Sequence, residues 1–275
     1  MQRSSQYPTF VGKSMLKALM GLCTAVAGTQ SPRVFPFLRH TLEIPDSFLS
    51  RVEFLTGRFD PQTEPYFMTV PETLTLQKGA RLLFPVVRAF VRMAQAAQKD
   101  GIILKVLSAT RTFDKQKQIW EDKWFGRRLV EGRNLHHENV PPLERARLIM
   151  RYSAMPGTSR HHWGTDVDIN AVEEGYFQSA PGLQEYNWLM RNAHRFGFCQ
   201  VYTARSTGRT TGYEEEKWHW SYMPYASRIR LLYNQIVNYS HLQGFAGAEA
   251  ATELKVIENY VNGIHIACDS LTTEQ

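Results

Sequence analysis

The segment Thr165-Asp166-Val167-Asp168-Ile169 constrains this chain more than any other. Its period of two predicts a β-strand, with Val167 and Ile169 on one face and Asp166 and Asp168 on the other. One face suits a core and the other suits chemistry. Elsewhere the chain mixes helices and short strands. Ala80 to Lys99 carries Leu83, Val86, Val87, Phe90, Val91 and Ala94 at helical spacing, and Gly101 ends it. Helices are also predicted over Phe113 to Phe125, Leu143 to Arg151, Leu183 to Phe196, Tyr225 to His241 and Glu249 to Ala267. Strands are predicted over Ile102 to Leu107, Phe198 to Tyr202 and Lys217 to Ser221. Residues 126–142 read as a surface excursion and residues 203–213 as a hairpin or active-site loop. With no internal repeat and no βαβ regularity, the pattern predicts an α+β fold: a small antiparallel sheet flanked by helices, with a C-terminal helical extension.

At 275 residues, 43% apolar and 21% charged, the chain is neither disordered, nor collagen-like, nor a disulfide-dense miniature. No stretch approaches the ~20 apolar residues of a membrane-spanning helix, which excludes a multi-pass membrane protein. The net charge of +6 invites a nucleic-acid partner. Arg3, Lys13 and Lys17, with no acid among residues 1–27, supply half of that excess. What remains holds no basic run interleaved with aromatics, so nucleic acid is not expected as a partner. Residues 1–27 instead read as an export signal: a cationic stretch, the apolar run Ala18 to Thr24, then Ala25-Val26-Ala27 as a cleavage site. A lipoprotein anchored at Cys23 is a less favoured variant, because Leu22 stands where a small residue is expected. Cys199 and Cys268 remain after cleavage, and either a disulfide or two buried thiols fits the sequence.

The chemistry concentrates in three segments. They are Ser159-Arg160-His161-His162-Trp163-Gly164-Thr165-Asp166-Val167-Asp168, Glu216-Lys217-Trp218-His219, and Ser108-Ala109-Thr110-Arg111 between a strand and a helix. His161, Asp168 and His219 offer two imidazole nitrogens and a carboxylate, a set that suits Zn2+ with a fourth position open for water. The metal would acidify that water and polarise a scissile carbonyl. Glu216, three residues before His219, could take the water's proton and pass it to a leaving amine. Arg111 could bind a substrate carboxylate or stabilise an oxyanion. His136-His137-Glu138 is equally rich in ligand atoms, but its Pro-flanked polar setting favours a loop. There is no H-E-x-x-H and no G-x-S-x-G.

These motifs resemble those of the VanY-like D-alanyl-D-alanine carboxypeptidases and the related VanX dipeptidases, zinc peptidases of bacterial cell-wall metabolism. The family pattern S-x-H-x-x-G-x-A-x-D followed by E-x-W-H reads here S-R-H-H-W-G-T-D-V-D and E-K-W-H. Thr110-Arg111-Thr112 with Gln116, and Trp188 to Phe198, resemble further family segments. The likeness covers roughly residues 80–225. It implies His161, Asp168 and His219 as zinc ligands, Glu216 as catalytic base, Arg111 on substrate and transition state, and Ser159 and Gln116 lining the cleft. Trp218 is expected to pack and hold the last ligand. Asp166 stands where the family has Ala; an acceptor for an imidazole N–H or for Arg160 is the favoured reading, with a swapped or additional ligand as the other. His162 stands where Gln is common and could contact substrate.

The resemblance implies an exported zinc peptidase, periplasmic or envelope-associated, that removes a terminal D-alanine from peptidoglycan stem peptides. Its organisation would be a signal at 1–27, a loop-rich segment at 28–79, the peptidase domain at 80–225 and the helical extension at 226–275. The alternatives are an L,D-carboxypeptidase, a cross-link endopeptidase, a cytoplasmic D-Ala-D-Ala dipeptidase and a non-catalytic wall-binding module.

Overall fold

A computed structural model of the chain describes residues 43–270. The export signal and Cys23 lie outside the described residues. Two short helices, α1 (Asp46–Leu49) and α2 (Val52–Thr56), precede the hairpin of β1 (Phe67–Thr69) and β2 (Arg81–Leu83). The expected 80–99 helix begins later, as α3 (Phe84–Lys99), because Arg81 to Leu83 pair with β1 and Pro85 fits only a first helical turn. Its buried face includes Val86, Val87, Phe90 and Ala94, as the spacing predicts. Phe90 meets Phe198 edge to face at 6.3 Å. Truncating such a buried ring costs about 3–5 kcal/mol.

The second sheet carries the chemistry. Its strands are β3 (Val106–Ser108), β4 (Asp166–Ile169), β5 (Phe198–Gln200) and β6 (His219–Tyr222), in the order β3-β4-β6-β5 and antiparallel throughout. The expected strand at 102–107 shrinks to β3, since residues 102–105 lie outside the ladder. Helix α4 (Phe113–Trp124) starts at Thr112, whose side chain accepts the Lys115 N–H at 3.2 Å. Next come α5 (Pro142–Ile149), α6 (Gly182–Asn192) and α7 (Met223–Ile236). Both faces of β4 are buried, so alternation here separates an apolar core face from a buried polar face.

The single helix expected over 249–267 is three pieces: α8 (Ala250–Glu253), a π turn at Ile257–Val261 and a 3-10 turn at Ile266–Ser270. Lys255 adopts φ +48, which stops α8. Long-range bonds then outweigh helical propensity. The His265 N–H donates to the Val201 carbonyl at 2.9 Å, and Cys268 is disulfide-bonded to Cys199. This C-terminal stretch belongs to the main core, which includes Phe245, Ala250, Leu254, Val256 and Val261. It also reaches α4, where the Trp120 indole N–H donates to the Ala246 carbonyl at 2.7 Å. Among the described residues no helix is long and apolar enough to cross a membrane.

Candidate metal centre

The β4–β6 register builds the site. Asp168 lies opposite His219, and Asp166 lies opposite Ser221. Because side chains alternate, all four project from one face of the sheet. His161 arrives from a 3-10 turn, Arg160–Trp163, that ends at Gly164 with φ 68. The turn is pinned by Trp163, which is fully buried and donates its indole N–H to the Leu55 carbonyl at 3.1 Å. A Cβ on Gly164 would stand 2.5 Å from the Phe67 ring, so glycine is required there on two counts.

One ligand atom each from His161, Asp168 and His219 lies within 4.8 Å of the others. The Asp168 Oδ1 is 3.3 Å from both His161 Nε2 and His219 Nδ1. The outer contacts fix which nitrogens are bare. His161 Nδ1 is 2.9 Å from the Ala109 carbonyl, which can only accept, so Nδ1 carries the hydrogen. His219 Nε2 is 2.8 Å from Asp166 Oδ2 and likewise carries the hydrogen. Once His219 Nδ1 gives up any second proton, three acceptor atoms converge. His161 Nε2 and Asp168 Oδ1 are buried with no hydrogen-bond partner. A buried trio of this kind fits a cation, and two nitrogens with one carboxylate oxygen suit zinc.

Electrostatics agree with the geometry. Burial, then the charge of Arg111, holds His161 below its ordinary pKa. Burial opposes the charge on Asp168, yet His161, His219 and Arg111 hold it well below the usual carboxylate range. Burial likewise opposes protonation of His219, but the carboxylates of Asp166, Asp168 and Glu216 hold it well above the imidazole range, so this corner favours a positive charge, which a metal ion at Nδ1 would supply in place of the second proton. That field favours positive charge between the two strands.

Asp166 is an acceptor and stands behind the trio. Besides His219 it receives Arg160 Nε at 3.0 Å, the Ser221 hydroxyl at 2.7 Å and the Thr165 hydroxyl at 2.7 Å. Arg160 also donates to the Ser221 oxygen at 2.6 Å and lies over the Trp163 ring. Its charge and that of Asp166 balance each other with both side chains out of water. The predicted bond to an imidazole and the predicted bond to Arg160 thus occur together.

The remaining predicted residues divide. Glu216 lines the cleft, with Oε2 at 3.4 Å from His219 Nδ1. Its backbone is fixed by Gln200, whose amide donates to the Glu216 carbonyl at 3.2 Å. Arg111 and Ser159 also line the cleft. Arg111 donates to Asp168 Oδ2 at 3.3 Å and to Gln116 Oε1 at 3.1 Å. Gln116 does not line the cleft: fully buried, it holds Arg111 with its oxygen and the Ala154 carbonyl with its amide at 2.8 Å. His162 does not face substrate either. Its Nδ1 meets the Arg111 carbonyl at 2.7 Å, and its Nε2 accepts the Gly157 N–H at 3.1 Å. Burial holds its pKa down at about 3, so it is a neutral backbone clamp. Trp218 stacks on Phe177, and its carbonyl accepts the Ile169 N–H at 3.0 Å. His136 and His137 sit exposed in the 126–142 excursion. The sequence did not single out Tyr202, Tyr213 or Ser153, all of which line the cleft. Tyr202 packs its ring on His219, with centroids 4.6 Å apart.

Residues 80–225, just over half of the chain, match the family model of VanY, D-alanyl-D-alanine carboxypeptidase. A D-alanyl-D-alanine carboxypeptidase of Enterococcus faecalis is 32% identical over 169 residues, which are 62% of this chain and 57% of the relative. The putative carboxypeptidase YodJ of Bacillus subtilis is 28% identical over 137 residues, 49% of this chain and 44% of the relative. The chain thus spans about half the length of these curated relatives. Among solved structures, the D,D-pentapeptidase VanY of a VanB-type vancomycin resistance cassette, in complex with Zn(II), is 27% identical. That match covers 66% of this chain and 93% of the other, with a TM-score of 0.42. VanYB in complex with D-alanine-D-alanine is 25% identical, covering 75% and 94% of the two chains with a TM-score of 0.42.

Proposed function

The chain belongs to the VanY family of D-alanyl-D-alanine carboxypeptidases, and from that premise we propose that it is an exported zinc peptidase removing a terminal D-alanine from peptidoglycan stem peptides. One observation carries this reading: His161 Nε2 and Asp168 Oδ1 are buried without a partner and converge with His219 Nδ1, and Glu216 lies 3.4 Å from that nitrogen. Held by His161, Asp168 and His219, zinc would supply Lewis acidity and lower the pKa of water.

The chain's own residues do the rest. Glu216 takes a proton from the attacking water as its oxygen bonds to the scissile carbonyl carbon. It then returns that proton to the amine nitrogen as the C–N bond breaks. Arg111, fixed by Gln116 and Asp168, faces the developing negative charge or the substrate carboxylate with its guanidinium fork. Tyr202 packs on His219 and limits water at the site. The disulfide Cys199–Cys268 supports an oxidising, extracytoplasmic compartment, in keeping with the export signal read at residues 1–27.

The test uses mature protein and a pentapeptide-ended muropeptide, with products weighed by mass spectrometry. Loss of one alanine, abolished by chelator and restored by zinc, is expected. Scission at an L,D bond or at a cross-link moves the reading to the alternatives, and chelator-resistant cleavage contradicts the metal.

A further inference from the structure

Lys123 stands in the last turn of α4 and is largely withdrawn from water. Its ammonium bonds the Ser153 hydroxyl oxygen. Among the described residues no carboxylate lies within ion-pair distance of it. An ammonium has three donors, and a buried one normally finds an anion. Burial and the charges of Arg128 and Arg111 lower its pKa to about 8, against the pull of Glu216, so the charged form still prevails at neutral pH.

Ser153 relays that charge to the cleft. It lines the cleft beside Tyr152, Ala154, Arg111 and Glu216. Because its oxygen accepts from Lys123, its own O–H is the donor left over. Arg111 adds to the same picture. Two of its nitrogens are engaged by Gln116 and Asp168, while its Nε is buried without a partner. The cleft lining thus includes the Arg111 cation and an uncommitted Ser153 hydroxyl, with the Lys123 ammonium behind that hydroxyl. Resting on the peptidase reading above, we propose that Lys123, acting through Ser153, receives the carboxylate at the end of the substrate peptide and selects chain ends over chain interiors. Lys123 is a positioning residue in this scheme, and Ser153 makes the contact.

Binding can be measured apart from turnover in the zinc-supplemented full chain carrying Glu216→Gln. The probes are N-acetyl-D-Ala-D-Ala as free acid, the same dipeptide as its carboxamide, and that carboxamide with a carboxylate on its acyl group. The free acid is expected to bind at least about tenfold more tightly than the carboxamide, as losing a charged hydrogen bond implies. Lys123→Met and Ser153→Ala should each collapse that ratio toward one, and the double variant should collapse it no further. A ratio that survives in either folded variant overturns the proposal. So does equal binding, or no binding, of acid and carboxamide by the parent. If the acyl carboxylate restores binding and Lys123→Met removes that gain, the corner receives a side-chain carboxylate and the chain-end assignment is wrong. Cleavage by the protein with Glu216 intact is read separately. Acid-selective binding without cleavage overturns the peptidase reading alone.

Discussion

On the floor of the cleft, β4 and β6 set Asp168 against His219 and Asp166 against Ser221, and Asp166 meets both His219 and Ser221 side chain to side chain across that ladder. The wall, residues 201–213, has no such ladder. Arg209 ties it internally, donating to the carbonyls of Thr203 at 3.1 Å and of Thr211 and Tyr213 at 2.6 Å. The C-terminal stretch then holds it from outside through His265, the Cys199–Cys268 disulfide and the packing of Tyr260 on Tyr213. The floor is specified by residue type at fixed register. The wall is specified by backbone carbonyls and a link between residues 69 apart in sequence. Floor variants should therefore change the metal and the chemistry, and wall variants should change stability and cleft shape.

The largest effect should come from the proposed base beside the floor. Glu216→Gln is expected to lower kcat by about 10²–10⁴ while one zinc stays bound. Steady-state kinetics with metal analysis on the same sample checks this; unimpaired turnover would break the assignment.

Asp166→Ala should follow. It leaves the Arg160 charge buried and unpaired, at a cost of about 3–5 kcal/mol, and should weaken zinc binding about 10–100-fold. Adding Arg160→Met should recover stability but not zinc affinity, by denaturant unfolding and competitive zinc titration. Recovery of both would mean that Asp166 serves the fold alone.

Replacing Cys199 and Cys268 by Ser opens a loop of 69 residues, with an expected stability loss of about 4 kcal/mol. Zinc affinity should hold while the KM for peptide rises. A fall in zinc affinity to match Asp166→Ala would erase the distinction between floor and wall.

The last effect is read in pH. The unfolded chain protonates His162 at its ordinary 6.5 and the folded chain only at about 3. Between these values the unfolded state binds more protons, so this contribution is complete above pH 6.5 and is lost as pH falls toward 3. His162→Gln should flatten that part of a Tm-against-pH curve; an unchanged slope would assign the acid lability to other groups.

Most of the floor was legible in the sequence. His161, Asp168, His219 and Glu216 sit in two short motifs, and alternation put Asp166 and Asp168 on one face before any partner strand was known. Legibility failed where direction mattered more than position. Gln116 and His162 stand at the expected places along the chain, but both turn inward to hold Arg111, one by its guanidinium and the other by its carbonyl. The C-terminal helix failed for another reason. Its residues have helical propensity, yet Lys255 at φ +48 and the ties to Val201 and Cys199 divide it. Such long-range competition leaves no periodic trace. Ser153 and Tyr213 are single residues on separate loops, and only the closed fold brings them to the cleft.

The central claim is that His161, Asp168 and His219 form one metal site. Zinc stoichiometry by equilibrium titration of the full chain and of its Asp168→Ala variant tests it most directly. One zinc per wild-type chain and none in the variant at the same free zinc is the predicted result. No zinc in the wild type, or one zinc retained by the variant, would contradict it.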